Sequence, residues 1–310
     1  MGSLNMNMNM NMNMNMGAPG TSVGGAMTRV RFNTQDYRKY VSLDPNGNVN
    51  EAVIPLPPGT AAAMRFPAYW DAELRAYEYL NEFLTVFYPD WRTRLANFVA
   101  AAGAPFDLTP PHQLGHAALT NEVLHMLDRA PDREDRFLEI IDQHDAEGSI
   151  GYFLGMLMID PSRMPALNLL IRVARRIGEH IVMCLKGEFR CPRPSQLCAA
   201  IVPMIDPPAT PAFPSGHSLQ ARLIALSLQA AQPPMRPVHL VDDLGERIGE
   251  NRIIAGLHFP KDHAVGKGVA DWCQSALLNP LLQLNAGPSK YKALVDAAKI
   301  ELANVWGPAP

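Results

Sequence analysis

Long apolar runs are missing from this sequence. No stretch of the 310-residue chain approaches the ~18 consecutive apolar residues that a membrane-spanning helix requires. The longest candidates are cut by charge, as by Arg222 in "SLQARLIALSLQAA". An excess of one charge is missing too: the formal net charge of -3 gives no broad basic field to attract nucleic acid. Cysteine is scarce. Cys184, Cys191, Cys198 and Cys273 form neither a C-x-x-C pair nor an evident disulfide framework, so buried or incidental free thiols in a reducing compartment are expected. The amino terminus reads "MGSLNMNMNMNMNMNMGAPG", which lacks the basic-then-apolar order of a secretory signal. Together these absences lead us to expect a soluble, cytoplasmic protein without integral membrane contact. Strand-like alternation is nearly absent as well, apart from a weak "NVNEAVIPL" at 48–56.

What is present is a helical pattern. Apolar residues make up 47% of the chain and charged ones 18%, enough to bury a sizeable core. Residues 1–27 are of low complexity; their Asn-Met repeat, followed by Gly and Pro, reads as a disordered arm to which we assign no function. Beyond it, helical spacing of apolar residues predicts helices over 71–87, 112–127, 133–145, 162–187, 215–231, 239–256, 262–278 and about 289–305. Pro-rich stretches at 55–58, 203–214 and 233–237 read as connections between them. The expectation is an all-α fold, a single helical bundle domain over residues 28–310.

Three clusters in this helical chain carry chemistry. The first is "KGEFRCPRPS". Lys186 falls in the last turn of a long helix, and Pro192 and Pro194 stiffen the segment that presents Arg193. A basic helix end complementing the macrodipole is the plain alternative. The second is "AFPSGHSLQ", a helix start. A helix amino terminus exposes unpaired N–H groups and a partial positive charge. Gly216 lets an anion approach the backbone, Ser215 adds a hydroxyl donor, and His217 can give up a proton. The plain alternative is a serine-capped helix with a solvated histidine. The third is "NRIIAGLHFPKDHAVG". On a straight helix Arg252 and His258 would point apart, but Gly256 and Pro260 predict a helix end between them that lets both converge. Asp262 then caps the next helix or accepts a hydrogen bond from His258, which fixes the imidazole tautomer and leaves the other nitrogen nucleophilic. An unrelated buried ion pair is the alternative here. Taken together, Lys186, Arg193 and Arg252, the amide of Gly216 and two histidines form a donor set for a tetrahedral or trigonal-bipyramidal oxyanion.

In this order, K-x6-R-P, P-S-G-H and R-x5-H-x3-D resemble the signature of the type 2 phosphatidic acid phosphatase superfamily. It includes bacterial class A acid phosphatases, lipid phosphatases and vanadium-dependent haloperoxidases. The resemblance covers residues 186–262, and it departs from the pattern at Asn251, where a serine usually opens the third motif. It implies that His258 attacks phosphorus to form a phosphohistidine and that His217 protonates the leaving oxygen and then activates water. Lys186, Arg193, Arg252, Ser215 and the Gly216 N–H would bind the phosphoryl oxygens. The same pocket in the haloperoxidases holds vanadate, with the residue matching His258 as the vanadium ligand, and oxidises halide with peroxide.

The motifs do not separate the two chemistries. Bromide-oxidising relatives carry a histidine just upstream of P-S-G-H, and none stands here between His180 and His217. The chain is also shorter than most characterised haloperoxidases. A missing leader, in turn, is unlike the secreted phosphatases. We therefore expect a metal-independent phosphatase acting on a small-molecule phosphate ester without a cofactor, with a vanadate-dependent haloperoxidase using halide and peroxide as the alternative. No nucleic-acid partner is expected, and self-association as a homodimer is. His112 and His116 are four apart but lack the glutamate of H-E-x-x-H, so no metal site is read there. Phe189 and Phe213 either wall the pocket or belong to the core.

Overall fold

The computed structural model of the chain describes residues 70–231, 238–283 and 289–306. The arm at 1–27, the start of the domain at 28, the weak strand at 48–56 and the Pro-rich stretches at 55–58 and 233–237 lie outside the described residues. Two compact units divide between Leu74 and Arg75; of the first, the described part is residues 70–74. Every regular element among the described residues is helical, so the fold class is all-α.

The helices are α1 (Ala72–Glu82), α2 (Trp91–Ala100), α3 (His116–Asp128), α4 (Arg133–Asp142), α5 (Ala146–Met156), α6 (Pro165–Phe189), α7 (Pro194–Leu197), α8 (Gly216–Ala231), α9 (Val238–Ile254), α10 (Pro260–Trp272), α11 (Asn279–Leu282) and α12 (Lys290–Trp306). The centre is α8, which packs against α6, α9, α10 and α12. Its environment explains its composition. Leu219, Leu223, Ile224 and Leu228 are buried, as are the small residues Ser218, Ala221, Ala225 and Ser227 that let neighbours approach. Burial of each large aliphatic side chain contributes about 1.5–3 kcal/mol.

The other long wall is α6. Its first residue, Pro165, has a fixed φ that suits a first turn. Leu167, Leu170, Ile171, Ala174, Ile177, Ile181, Val182 and Leu185 form its buried stripe at helical spacing. The helix closes at Arg190, whose φ of 46° is left-handed and whose N–H donates to the Lys186 carbonyl at 3.0 Å. Lys186 is thereby held in the last turn, with its side chain directed into the interior.

Several local expectations change. The pattern at 112–127 divides into a 3-10 turn over Pro111–Gln113 and α3 from His116, so His112 and His116 do not share a helix face. The helix expected from 162 starts at Pro165, because Asp160 ties Ser162 into a turn through its backbone N–H at 2.8 Å. The run at 71–87 is α1 followed by a π turn over Phe83–Phe87, and α10 continues through a π segment over Cys273–Leu278 into α11. Two helices have weak sequence signals. α2 buries only Trp91 and Leu95. α5 carries Gly148, Gly151 and Gly155, residues of low helix propensity, and its start is fixed by Asp145, whose Oδ1 accepts from the Gly148 N–H at 2.8 Å. Among the described residues no helix is long and apolar enough to cross a membrane.

Candidate active site

Each of the three clusters is carried by a different corner of the bundle. Beyond α6 the chain runs through Pro192 to Arg193, an extended residue that caps the short α7. Arg193 is buried, and its guanidinium is well partnered. Nε donates to the Thr210 carbonyl at 2.9 Å, Nη2 to Thr210 Oγ1 at 3.1 Å and Nη1 to the Leu257 carbonyl at 3.0 Å. Lys186 Nζ donates to the Ala212 carbonyl at 3.0 Å and also meets the Pro211 carbonyl. The Pro-rich segment 203–214 therefore uses its carbonyls to hold both cations in place. Prolines suit this role, since they contribute carbonyls without adding competing N–H donors.

The start of α8 sits against α10. Gly216 is the first helical residue and Ser215 precedes it, so the N–H groups of the first turn have no intrahelical acceptor. The Ser215 N–H donates to the Asp262 carbonyl at 2.9 Å, which ties the P-S-G-H segment to the third cluster. His217 is half-buried. Its Nε2 lies 2.9 Å from the backbone carbonyl of Gln143, so this nitrogen carries the hydrogen and Nδ1 is left to accept or bind a proton.

The third cluster forms as α9 ends. Gly256 has φ +79°, and beyond it the N–H groups of Leu257 and His258 return to the Arg252 carbonyl at 3.0 and 3.3 Å. This reversal brings His258 back beside the last turn that carries Arg252. His258 Nδ1 lies 3.1 Å from Asp262 Oδ2, and its Nε2 lies 3.0 Å from Arg193 Nη1. A guanidinium only donates, so Nε2 presents a lone pair and Nδ1 carries the hydrogen. Asp262 is the third residue of α10 rather than its cap. Its Oδ2 also accepts from the Phe259 N–H at 3.0 Å, so it braces both the histidine and the helix start.

The electrostatics follow from this crowding. Burial first, and then Arg193, Lys186, His217 and Arg252, hold His258 well below its ordinary value. Burial and Arg252 pull His217 down to about 3. Burial, then Arg193, lowers Lys186, and burial raises the Asp262 carboxyl against the pull of the Phe259 N–H and the two cations. Burial also brings Arg193 and Arg252 down to about 10. Arg252 is 1% exposed and gives a single hydrogen bond among the described residues, Nη2 to the Ile140 carbonyl at 3.1 Å; its Nε and Nη1 are buried without an acceptor. A buried cation with unused donors is costly unless an anion meets it.

Lys186, Arg193, Ser215, Arg252, His258 and Asp262 are thus buried within one neighbourhood, with Gly216 and His217 at its edge. Asn251 is where the third cluster departs from the motif it resembles. It is fully buried and faces α4, donating from Nδ2 to Gln143 Oε1 at 2.9 Å and Glu139 Oε2 at 3.1 Å. Phe189 and Phe213 meet edge to face with centroids 5.2 Å apart, and Phe213 is fully buried, which makes it core. Thr210 and Gln143 escaped the sequence reading. Both act largely through backbone carbonyls, which leave no residue-type signal. A groove of about 570 Å³ lined by Gly148, Gly151, Tyr152, Gly155, Met156 and Leu244 includes none of the site residues.

All four cysteines are free thiols, and burial raises Cys191, which neighbours Lys186 and Arg193, to about 11, so this thiol is not poised as a nucleophile. Among the described residues no group of three His, Cys, Asp or Glu could hold a metal cation. A tetrahedral oxyanion is what the unused Arg252 donors fit, whether phosphate or vanadate.

Neither protein-family models nor curated proteins match the sequence. Among solved structures, the chain is similar to the crystal structure of a transmembrane PAP2-type phosphatidylglycerolphosphate phosphatase from Bacillus subtilis. The two share 14% identity and a TM-score of 0.44, over 56% of this chain and 90% of that one. What the site can do must come from its own side chains.

Proposed function

We propose that the protein is a phosphohydrolase that transfers a phosphoryl group from a small phosphate ester to His258 and then to water. The observation that carries this reading is the state of His258. Its Nδ1 hydrogen is directed at Asp262 and its Nε2 lone pair is turned toward Arg193, in a pocket with two further buried cations. A carboxylate behind an imidazole sets the tautomer and stabilises the positive charge that forms when the other nitrogen attacks.

In the first step Nε2 forms a bond to phosphorus as the bond to the leaving oxygen breaks. Arg193 gives up its contact with Nε2 and donates to a phosphoryl oxygen instead. Arg252, Lys186 and the first-turn N–H groups of α8 take the remaining charge, which is most of what phosphoryl transfer asks of a protein. His217 gives a proton to the leaving oxygen. A bound dianion supports this role, because it opposes the two influences that keep His217 neutral, its burial and the charge of Arg252. In the second step His217 takes a proton from water as water attacks phosphorus and frees His258. No resident cofactor enters this sequence.

Vanadate would be held by the same groups, with His258 as its protein ligand, and would supply halide oxidation by hydrogen peroxide. One experiment separates the readings. The purified protein is assayed with an aryl phosphate and, after orthovanadate loading, with bromide or iodide plus peroxide. Hydrolysis that vanadate inhibits, with an acid-labile and base-stable phosphoenzyme formed in wild type but not in His258→Ala, is the expected result. Halide oxidation without aryl phosphate hydrolysis would overturn it.

A further inference from the structure

The end of α4 touches two groups of the site. The Ile140 carbonyl accepts from Arg252 Nη2 at 3.1 Å, and three residues on the Gln143 carbonyl accepts from His217 Nε2 at 2.9 Å. Gln143 follows the last residue of α4, and its own N–H returns to the Glu139 carbonyl at 2.9 Å. It is 0% exposed. Part of its cover is the start of α5: a methyl group at Gly148 would sit 3.3 Å from Gln143 Cα and 1.7 Å from the Asp142 carbonyl oxygen, so only glycine lets α5 close this far. The Gln143 side chain is therefore shut off from bulk water, and its amide must find its partners inside the fold.

Charged neighbours fix which way that amide lies. Arg136 Nη1 lies 3.1 Å from one end of the Asn251 amide, and a guanidinium only donates, so this end is the oxygen Oδ1. The other end lies 3.1 Å from Glu139 Oε2. Hydrogen bonding from Arg247 holds the Glu139 carboxyl below its ordinary value, so it is an ionised acceptor and this end is Nδ2. Nδ2 has two hydrogens. One goes to Glu139 and the second to Gln143, 2.9 Å away, so the Gln143 atom that meets Asn251 is the acceptor Oε1. A serine here, with one hydroxyl able to donate or accept, would impose no such direction.

Gln143 Nε2 is then the free end of the amide. Among the described residues this buried nitrogen has no acceptor. Arg252 Nε and Nη1, on the residue next to Asn251, are in the same condition. Three unpaired donors thus stand on two side chains that the end of α4 and the last turn of α9 bring together. Each is costly as it stands, and a tetrahedral oxyanion, the group that fits Arg252, has more acceptor sites than one guanidinium uses.

Resting on the oxyanion reading above, we propose that Gln143 Nε2 is a further donor to the bound oxyanion, beside Arg252, and that Asn251 is the positioning residue that keeps the nitrogen of this amide, rather than its oxygen, available to the anion. The departure at Asn251 then has a purpose in this chain. It adds a neutral donor to a pocket whose other side-chain donors are cations, and it links the backbone support of His217 to the side chain that meets the anion.

The test measures inorganic phosphate and orthovanadate as inhibitors of aryl phosphate hydrolysis at one pH, together with the shift in denaturant midpoint that each anion produces. Gln143→Met keeps the backbone carbonyl that holds His217 and removes the amide. It is expected to weaken both anions about 10-fold and to shrink the anion-induced shift. Gln143→Glu keeps the acceptor for Asn251 and exchanges only the donor for an oxygen, so the contact with α9 survives while both anions weaken by a larger factor. Asn251→Ser, which lets the amide turn, should weaken them by a smaller factor in the wild-type background and not at all in the Gln143→Met background. Wild-type inhibition constants in Gln143→Met or Gln143→Glu, or an Asn251→Ser effect of equal size in both backgrounds, would overturn the proposal while leaving the oxyanion site standing. A loss of stability in Gln143→Met with an unchanged anion-induced shift would do the same, since it marks a purely structural amide. Failure of the wild type to bind either anion would overturn both.

Discussion

Two parts of the molecule offer an imidazole to the same place, and they do so in opposite ways. After α9, His258 is buried, is backed by Asp262 and has both ring nitrogens engaged by side chains. At the start of α8, His217 is half-buried and, among the described residues, has no carboxylate partner and is anchored by the Gln143 carbonyl. A carboxylate on Nδ1 keeps one tautomer and stabilises a positive ring, which suits a nucleophile. A carbonyl fixes orientation without a charge, so the proton affinity of His217 is left to respond to whatever anion binds nearby. On the proposed function, the difference means that His258 is prepared in advance while His217 is switched on by its ligand.

The largest effect that could break this comparison is on turnover. His258→Ala is expected to lower aryl phosphate hydrolysis by about 10⁴-fold or more, because no other group can carry the phosphoryl. His217→Ala should cost about 10²–10⁴-fold, the usual contribution of general acid–base catalysis. It should be partly relieved with a leaving group of low pKa, read as the ratio of rates on 4-nitrophenyl and alkyl phosphates. Equal losses on both substrates would mean that His217 does not protonate the leaving oxygen.

Anion affinity should show the next largest effect. Arg252→Ala removes charge-assisted hydrogen bonds worth roughly 1.5–3 kcal/mol, so phosphate inhibition should weaken by about 10- to 100-fold. An unchanged inhibition constant would remove Arg252 from the site.

Protonation sharpens the contrast further. His217 stands at about 3 in the folded chain against an ordinary 6.5, so the folded state binds fewer protons than the unfolded one between those values. Stability is therefore lost as pH falls from 6.5 toward 3. On the proposed function, a bound oxyanion should reverse part of this shift, so that its binding takes up protons. Sulfate, a dianion throughout this range, should bind at pH 6 with an apparent enthalpy that varies with the ionisation enthalpy of the buffer. His217→Gln should abolish that variation; if it persists, another group takes the proton.

The smallest effect concerns stability. Arg193 spends its donors on Thr210, Leu257 and His258, whereas Arg252 has Nε and Nη1 without acceptors. In anion-free buffer Arg252→Met should raise the unfolding free energy by about 1–3 kcal/mol, while Arg193→Met lowers it. Denaturant midpoints measure both. A loss of stability in Arg252→Met would mean that its guanidinium is satisfied by partners beyond the Ile140 carbonyl.

Much of this was legible in residue types and spacing. The stripe of α6, the serine and glycine that open α8, and the Gly256 stop after Arg252 are local features with local causes, and they placed the main helices and the order of the three clusters along them. Helices such as α2 and α5 were less legible, since two buried residues or a glycine-rich run give little periodicity. Backbone acceptors left no trace at all: the carbonyls of Thr210, Ala212 and Gln143 hold Arg193, Lys186 and His217, yet any residue has a carbonyl.

The sequence by itself determined the all-α class and the presence of three cations, two histidines and an aspartate in motif order; that Asp262 pairs with His258 was one of two readings until the fold brought Oδ2 to 3.1 Å from Nδ1. Only tertiary structure decided that Asn251 faces α4, that Arg193 rather than Lys186 meets His258, and that Gln143 joins Asn251 to His217. Local order along a chain is set by propensity and turn chemistry, whereas contacts between helices depend on the depth at which small residues such as Ala221 and Ala225 let them close.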